Sequence, residues 1–530
     1  MNGKTPTVSS LTGIVAAAHP LAANAGSRIL AAGGNAFDAA AATAAALNVV
    51  EPYNSGLAGM GIAICYVAAE DRIRVLDFVP AFPRGFDFAS TDERMSLRRG
   101  GYGTGLPGCL AGWAELGHRY GNMTLADTLV PAINLARDGF PLIELNVEAL
   151  RASRQQLSSF PELLMNWTEV YGKSDTENQS GSVLRQPKLA ATYEAVAKSG
   201  IRYLYDGPLG HEIVEAVRAH GGCLTEDDIA SSKPRWQEPI SVNYRGSTIY
   251  APPPPSHGFQ YLLTMGLLGK FNLPESQRSE GDRLDILFRA IRSAARTRIE
   301  CEIENTGAFA QLIDDVNLSR LQTIALSRDA IEGPTEYTTV TLTVDRSREN
   351  TTSFSVADRS GNMVAITQSL GQYFGSGIIT REHGVALNDL LHYGNIEEGS
   401  AGARSRVLGL PFCPSIVVSP DRVLAFGTPG SFGIPQTQAQ VLVNYLDRGM
   451  SLQDAIDAPR ARLWPGRSIE IESRVGEAAL EILAKHGHDI KPASGWTKLV
   501  GGMQGIVRDR ATGVMSGAAD LRRDGCVAIA

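Results

Sequence analysis

The sequence predicts a large mixed fold in which helices and strands form two or four layers around a shared core. Its 530 residues exceed what one small core needs, so they form either two to four domains or one large layered fold. Alanine-rich runs predict buried helices, and short alternating apolar segments predict paired strands. The apolar fraction of 43% and the charged fraction of 20% are typical of a globular protein.

The first elements are two closely packed helices between residues 20 and 50, separated by a Gly-Gly-Asn turn at 33–35. Both have small faces, so we expect them to be buried. The other elements expected before residue 306 are strands at 56–66, 73–79 and 238–250, and helices within 108–220 and 281–305.

The C-terminal part begins with a polar, aperiodic stretch at 309–350, which predicts irregular structure ending in an exposed loop at 343–350. A β-hairpin is expected over 351–369, with its turn at 359–362. The remaining expectations are strands at 415–419 and 422–427 and a helix at 435–447.

Charge and hydropathy narrow the classes of partner. A net charge of −7 gives no electrostatic reason to expect nucleic acid binding. The N-terminus lacks a basic segment followed by an apolar one, and polar residues interrupt the alanine-rich run at 14–50. We therefore expect neither a signal peptide nor a membrane span, and a cytoplasmic location. The six scattered cysteines predict reduced thiols.

Three short motifs resemble cofactor or metal sites. Residues 103–108 match GxGxxG, but Pro107 and the lack of a preceding strand favour a simple turn before a helix. His211 and Glu212 lack the second histidine of a zinc protease motif, which favours a solvated helix face. His486 and His488 could contact a metal, yet no set of ligands has metal spacing, so we expect no metal and no cofactor.

Thr351 carries a distinct chemical possibility at the start of the predicted hairpin. If the bond between Asn350 and Thr351 is cut, Thr351 gains a free α-amine beside its own hydroxyl. An amine with a pKa near 8 can act as general base for that hydroxyl, so one residue supplies both base and nucleophile. The glycine-rich turn at 427–431 could then supply backbone N–H groups to an oxyanion.

Residues along most of the chain, roughly 13–525, resemble the γ-glutamyltranspeptidase (glutathione hydrolase) family of N-terminal-nucleophile hydrolases. The segment 351–362 is similar to the one in which family members cut themselves and expose the catalytic threonine. The other matching landmarks are residues 20–40, 105–108, 135–140, 244–246, 253–258, 427–431 and 458–460.

This resemblance implies an α+β fold, a four-layer αββα sandwich built jointly from a large subunit (1–350) and a small subunit (351–530). It also implies roles: Thr351 as nucleophile, Ser369 as a hydroxyl bonded to it, and the N–H groups of Gly430 and Ser431 as the oxyanion hole. The acyl group would pass from an amide to Thr351, and then to water or to an amine.

The residues that correspond to the family's γ-glutamyl pocket depart from its pattern. Val79 occupies the place of an arginine that binds the substrate carboxylate, and Leu410-Pro411 replaces a serine pair. Gly371, Leu390 and Tyr393 stand where polar residues usually hold the α-amino group. Because these replacements are mostly apolar, a buried zwitterion would lack partners.

Three arginines, Arg84, Arg404 and Arg406, could compensate from another direction. The substrate therefore stays open between a γ-glutamyl compound such as glutathione, a small acid amide such as oxamate, and a less polar acyl group of the cephalosporin-acylase kind. A non-enzymatic alternative is an uncut binding or scaffold protein. Assembly into a homo-oligomer also stays open.

Overall fold

The structure is a computed structural model that describes residues 7–87, 99–172, 174, 176–272, 279–301, 303, 305–335, 350–393 and 408–530. All six cysteines are free thiols. Among the described residues, no helix is both long enough and apolar enough to cross a membrane.

The strands of the described residues run in chain order as β1 (Val8–Ser10), β2 (Gly13–Ala17), β3 (Met60–Val67), β4 (Arg72–Phe78), β5 (Phe140–Pro141), β6 (Val183–Leu184), β7 (Arg235–Gln237), β8 (Ile240–Tyr244), β9 (Ser247–Ala251), β10 (Thr352–Asp358), β11 (Met363–Ser369), β12 (Ser415–Val418), β13 (Arg422–Gly427), β14 (Ala461–Leu463), β15 (Ser468–Glu472), β16 (Asp489–Ala493), β17 (Gln504–Asp509), β18 (Met515–Ala519) and β19 (Cys526–Ile529).

The α-helices of the same residues are α1 (Pro20–Ala31), α2 (Ala36–Val50), α3 (Cys109–Tyr120), α4 (Leu125–Asp138), α5 (Glu144–Leu157), α6 (Pro161–Tyr171), α7 (Pro187–Ser199), α8 (Arg202–Tyr205), α9 (Pro208–Ala219), α10 (Glu226–Ser231), α11 (Phe259–Leu268), α12 (Glu280–Glu300), α13 (Thr306–Leu312), α14 (Asp315–Ala325), α15 (Ile434–Leu442), α16 (Leu452–Asp457) and α17 (Glu477–Lys485).

Two seven-stranded antiparallel sheets form the centre of the molecule. One has the order β19-β2-β10-β11-β3-β4-β7, and the other has the order β1-β18-β17-β13-β12-β9-β8. The side chains of β10 alternate between two separate cores. Phe354 and Val356 pack with the helix layer that contains α1 to α9, whereas Ala357 belongs to the core shared with the second sheet and with α11, α12 and α15. The predicted four-layer αββα arrangement is confirmed.

The alanine-rich helices pack as closely as the sequence predicts. α2 is buried along its whole length, and a Cβ placed on Gly26 of α1 would lie only 2.2 Å from Thr43 Oγ1. Asn35 and Asp38 close the start of α2 with a reciprocal capping box. Residues 51–59, which follow α2, lie at the end of the hairpin where β10 begins and β11 ends.

Most predicted elements are confirmed, including the hairpin over β10 and β11 and the turn at 103–108 that precedes α3. The strand expected from residue 56 begins only at Met60. The prediction for 309–335 is wrong, because α13 and α14 form there on capping residues Asn305 and Asp314. Residues 343–349 lie outside the described part, and Asn350 is buried rather than exposed.

Candidate active site

The hairpin places Thr351 and Ser369 side by side. β10 and β11 are antiparallel, with Thr352 opposite Gln368, so the residues just beyond this pair meet at the same end. The Thr351 hydroxyl oxygen lies 3.3 Å from the Ser369 hydroxyl oxygen, and both residues are buried. The two hydroxyls singled out from the sequence are therefore in direct contact.

The carbonyl of Asn350 is held by both hydroxyls. Ser369 Oγ donates to this carbonyl oxygen at 3.0 Å, and Thr351 Oγ1 also donates to it. The Gly371 N–H donates to Ser369 Oγ at 2.8 Å. Because Ser369 Oγ accepts from the Gly371 N–H, its own single proton is available for the Asn350 carbonyl oxygen.

The turn after β13 lies close to β10, the strand that follows Thr351. A Cβ placed on Gly427 would be 2.2 Å from Ser353 Oγ, so only glycine allows this approach. Gly430 has φ of +123° and Ser431 has φ of +50°, so the backbone reverses sharply before α15. The carbonyl of Gly430 accepts a hydrogen bond from Arg462 Nη1 at 3.4 Å, which anchors the turn.

A buried ion pair is linked by hydrogen bonds to the glycine-rich turn at 427–431. Arg460 Nη2 and Asp520 Oδ2 are 2.5 Å apart, and both side chains are fully buried. Arg460 Nε donates to the Val500 carbonyl at 3.0 Å, and the Gly502 N–H donates to Thr428 Oγ1 at 3.1 Å. The segment 500–502 thereby connects the Arg460–Asp520 pair to the glycine-rich turn.

Gly371 and Leu390 lie beside Ser369, and Tyr393 contacts the glycine-rich turn. A Cβ on Gly371 would be 1.8 Å from Asp389 Oδ1 and 3.5 Å from Leu390 Cδ2. The Tyr393 hydroxyl donates to Ser431 Oγ at 3.2 Å. These contacts connect three of the predicted substrate-binding residues to Ser369 on one side and to the glycine-rich turn on the other.

Leu410 is hydrogen-bonded to His257, whose ring stacks on Phe432 next to the glycine-rich turn. The backbone N–H of His257 donates to the Leu410 carbonyl at 3.0 Å, and the His257 ring stacks on Phe432 with ring centres 5.7 Å apart. The Arg298 guanidinium carbon lies 4.2 Å from the centre of the Phe432 ring. Burial, with the nearby charge of Arg298, holds the pKa of His257 well below its usual value, so this ring is neutral.

The described contacts of Val79 and Arg84 are with Asp77 and Asp228, rather than with the hydroxyl pair or the glycine-rich turn. The Val79 N–H donates to Asp77 Oδ1 at 2.9 Å, and Arg235 pairs with that carboxylate at 2.7 Å. The Arg84 side chain is 68% exposed and lies 3.8 Å from Asp228. Arg404 and Arg406 lie outside the described residues.

The histidine motifs have carboxylate partners. His488 Nε2 lies 2.7 Å from Asp285, and His486 Nε2 lies 2.9 Å from Asp282. His211 is exposed and bonded to Glu226, as a solvated helix face would be. In the described part of the chain, no group of three or more histidine, cysteine or acidic side chains could hold a metal ion.

Sequence reasoning missed Glu51, which follows the last residue of α2. The Thr352 hydroxyl donates to Glu51 Oε2 at 2.8 Å, and Asn54 Nδ2 donates to Oε1 at 3.2 Å. Burial raises the pKa of Glu51 to about 7, against the hydrogen bond from Thr352 and the charge of Arg523. The available signal was an acidic residue placed directly after an alanine-rich helix that is buried along its whole length.

The sequence was compared with models of known protein families. The family model described as Gamma-glutamyltranspeptidase matches residues 22–530. The chain belongs to the γ-glutamyltranspeptidase family.

Relatives in the γ-glutamyltranspeptidase family cover nearly the whole chain. The glutathione hydrolase proenzyme of Bacillus subtilis (strain 168) is 30% identical over 97% of this chain and 90% of its own length. The acylase ACY 1 proenzyme of Pseudomonas sp. (strain V22) is 29% identical over 97% of this chain and 92% of its own. The crystal structure of cephalosporin acylase from Bacillus halodurans has a TM-score of 0.89 at 27% identity, covering 100% of this chain and 98% of that one.

Proposed function

We propose that this protein is a self-cleaving amidohydrolase whose nucleophile is Thr351. The observation that carries the proposal is the pair of hydroxyls on the Asn350 carbonyl: Ser369 Oγ donates to its oxygen at 3.0 Å, and Thr351 Oγ1 lies 3.3 Å from Ser369 Oγ. Cleavage between Asn350 and Thr351 would give a large subunit of residues 1–350 and a small subunit of residues 351–530.

This geometry supports a route for self-cleavage. Thr351 Oγ1 attacks the Asn350 carbonyl carbon while Ser369 stabilises the negative charge that develops on the carbonyl oxygen. The C–N bond breaks, the nitrogen takes the hydroxyl proton, and an ester joins residue 350 to Thr351 Oγ1. Water then hydrolyses the ester, leaving a carboxylate on Asn350 and a free α-amine on Thr351.

The mature site then acts on an external amide. The Thr351 amine takes the proton from Oγ1, which attacks the substrate carbonyl, and the same amine returns the proton to the leaving amine. The N–H groups of Gly430 and Ser431 stabilise the oxyanion in this step. Water, or an amine acceptor, releases the acyl group from Thr351.

The first candidate substrate is a γ-glutamyl compound such as glutathione, as for the glutathione hydrolase relatives. The second is an amide with a less polar acyl group, as for the acylase relatives. This second candidate is favoured by the buried Leu390 and Leu410 and by the Phe432 ring, which contacts His257 and Arg298.

Electrophoresis and a hydrolysis panel test the proposal together. We expect the purified protein to give two bands near two-thirds and one-third of its mass, and Thr351→Ala to remain one band without activity. Ser355→Ala is the matched control, because it removes a buried hydroxyl from the same strand and should leave cleavage intact. A wild-type protein that stays intact and inactive would support a scaffold role instead.

The panel contains γ-glutamyl-p-nitroanilide, glutathione, oxamate and a glutaryl amide. Preferential hydrolysis of the first two would support the γ-glutamyl candidate. Preferential hydrolysis of the glutaryl amide would support the acylase candidate, and preferential hydrolysis of oxamate would support a small-acid amidase.

A further inference from the structure

The connection between α2 and β3 is hydrogen-bonded to both strands of the β10–β11 hairpin, at the end opposite its turn. The Leu370 N–H donates to the Asn54 carbonyl at 3.0 Å, and Gln368 Nε2 lies 3.3 Å from Ser55 Oγ. These bonds hold the β11 side of the hairpin. On the β10 side, the bond from the Thr352 hydroxyl to Glu51 Oε2 at 2.8 Å joins the same connection to the residue that follows Thr351.

Cleavage changes what holds Thr351 in place. In the uncut chain, Thr351 is restrained by residues on both sides. In the mature enzyme it is a chain terminus, and its backbone is attached only to Thr352. Chain ends lose order unless they are tied down, and a displacement of about 1 Å at a reacting group can cost about a hundredfold in rate. The side-chain bond of Thr352 is the next anchor along the chain.

Glu51 stands in surroundings that do not favour a carboxylate. It is 1% exposed and lies at the C-terminal end of α2, where the helix dipole disfavours negative charge. The charged and titratable groups that face it are Arg523, Asp524, Tyr53 and Tyr373. A buried acid in such a place costs stability, so its presence calls for a functional reason.

We propose that Glu51 is a positioning residue that fixes the mature N-terminus by binding the hydroxyl of Thr352. Its carboxyl group holds the first residue of β10 against the helix layer, and the peptide bond transmits this constraint to the Thr351 amine and Oγ1. Glu51 touches neither substrate nor the reacting atoms. The role rests on the proposed function, since it matters only if Thr351 becomes a chain end.

The first experiment removes the hydroxyl of Thr352 without changing its shape. Thr352→Val should still be cleaved, and its kcat should fall by about tenfold to a hundredfold, while KM stays within about threefold of wild type because the acyl pocket is untouched. Thr352→Ser, which keeps the hydroxyl, should restore most of kcat. A cleaved Thr352→Val enzyme with wild-type kcat would overturn the inference.

The second experiment uses Glu51→Gln, which keeps the volume and an acceptor oxygen but cannot ionise. If the ionised carboxyl and the neutral amine are both needed, log(kcat/KM) of wild type falls at acidic pH with a slope that approaches two. In Glu51→Gln, the slope should approach one, and kcat at the plateau should be lower. An unchanged profile with unchanged kcat would exclude a role for the ionised carboxylate, and the role of the hydrogen bond itself would then rest on Thr352→Val.

Failure of the proposed function and failure of the Glu51 role would give different results. A wild-type protein that is not cleaved, or a Thr351→Ala variant that keeps activity, would remove the proposed function and this role with it. A cleaved and active wild type beside a fully active Thr352→Val would leave the proposed function intact and remove only the role of Glu51.

Discussion

Thr351 and Ser369 lie at neighbouring ends of two antiparallel strands, with their hydroxyl oxygens 3.3 Å apart. The strand register produces this contact, because Thr352 is paired with Gln368 and the next residues on both strands must meet. Ser369 is therefore fixed by the sheet, rather than by a flexible loop, and it directs its proton to the Asn350 carbonyl. Functional groups held by regular elements are positioned more accurately than those on loops.

Replacing Ser369 by alanine should slow both self-cleavage and substrate turnover. The change removes the donor to the Asn350 carbonyl, and loss of one oxyanion donor typically costs about a hundredfold to a thousandfold in rate. Cleavage can be followed by electrophoresis during incubation, and kcat can be measured on whatever fraction matures.

Thr367→Val is the control for this prediction, since it also removes a buried hydroxyl from β11, one that contacts Ser353 rather than Asn350. It should mature at the wild-type rate. Equal rates for Ser369→Ala and Thr367→Val would contradict the assigned role of Ser369.

Tyr393 offers a test of acyl-group selection. Its hydroxyl donates to Ser431 Oγ at 3.2 Å. By the resemblance to the family, Tyr393 stands where a polar residue usually helps to hold the substrate's α-amino group. Tyr393→Asp should shift the ratio of kcat/KM for γ-glutamyl-p-nitroanilide over the glutaryl amide upward by about tenfold, the value of one charge-assisted hydrogen bond.

Tyr393→Asn separates charge from size in this experiment. It has nearly the same volume as Tyr393→Asp but no charge, so it should give little of the shift. If both variants change the ratio equally, the loss of the tyrosine ring would explain the result and the charge would not.

Gly371 should tolerate no side chain. Its φ is +103°, and a Cβ would lie 1.8 Å from Asp389 Oδ1. Gly371→Ala should lower the free energy of unfolding by about 1–3 kcal/mol and should also displace the N–H that binds Ser369. Chemical denaturation and kcat measure the two effects.

Gly449→Ala is the matched control, because Gly449 also has positive φ, at +62°, but has no atom within 4 Å of the added Cβ. It should show only the backbone strain of about 1 kcal/mol and no loss of kcat. A Gly371→Ala variant as active as Gly449→Ala would contradict the prediction.

The part of this architecture that sequence alone predicts is the part governed by local pattern. The alternation in β10, the small residues of α2 and the glycine turn after β13 each indicate their own element, and the ordered family landmarks indicate Thr351. The contact between Glu51 and Thr352 joins residues 301 positions apart. It depends on the packing of α2 on the sheet, which no local pattern records. For the same reason, nothing in the sequence showed that Arg84 pairs with Asp228.

Replacing Glu51 by glutamine should stabilise the protein at alkaline pH. Burial raises the pKa of Glu51 from 4.5 to about 7 in the folded protein, so the protonated carboxyl contributes stability that is fully present below pH 4.5. That stability is lost as the pH rises through 7, and the loss is on the order of 3 kcal/mol. Glu51→Gln cannot ionise and should escape it. The variant should therefore match wild type near pH 4.5 and exceed it by roughly 1–3 kcal/mol near pH 8.5.

Both proteins should carry Thr351→Ala, so that an uncut single chain unfolds in each case. Denaturant midpoints measured at the two pH values give the comparison. Glu144→Gln is the control, because it removes an exposed carboxyl group and should produce the same small change at both pH values. A Glu51→Gln chain that is less stable than the parent at pH 8.5 would show that the carboxylate stabilises the fold. In that case stability alone would explain the carboxyl group, and Glu51 would carry no cost that a role in positioning Thr351 has to justify.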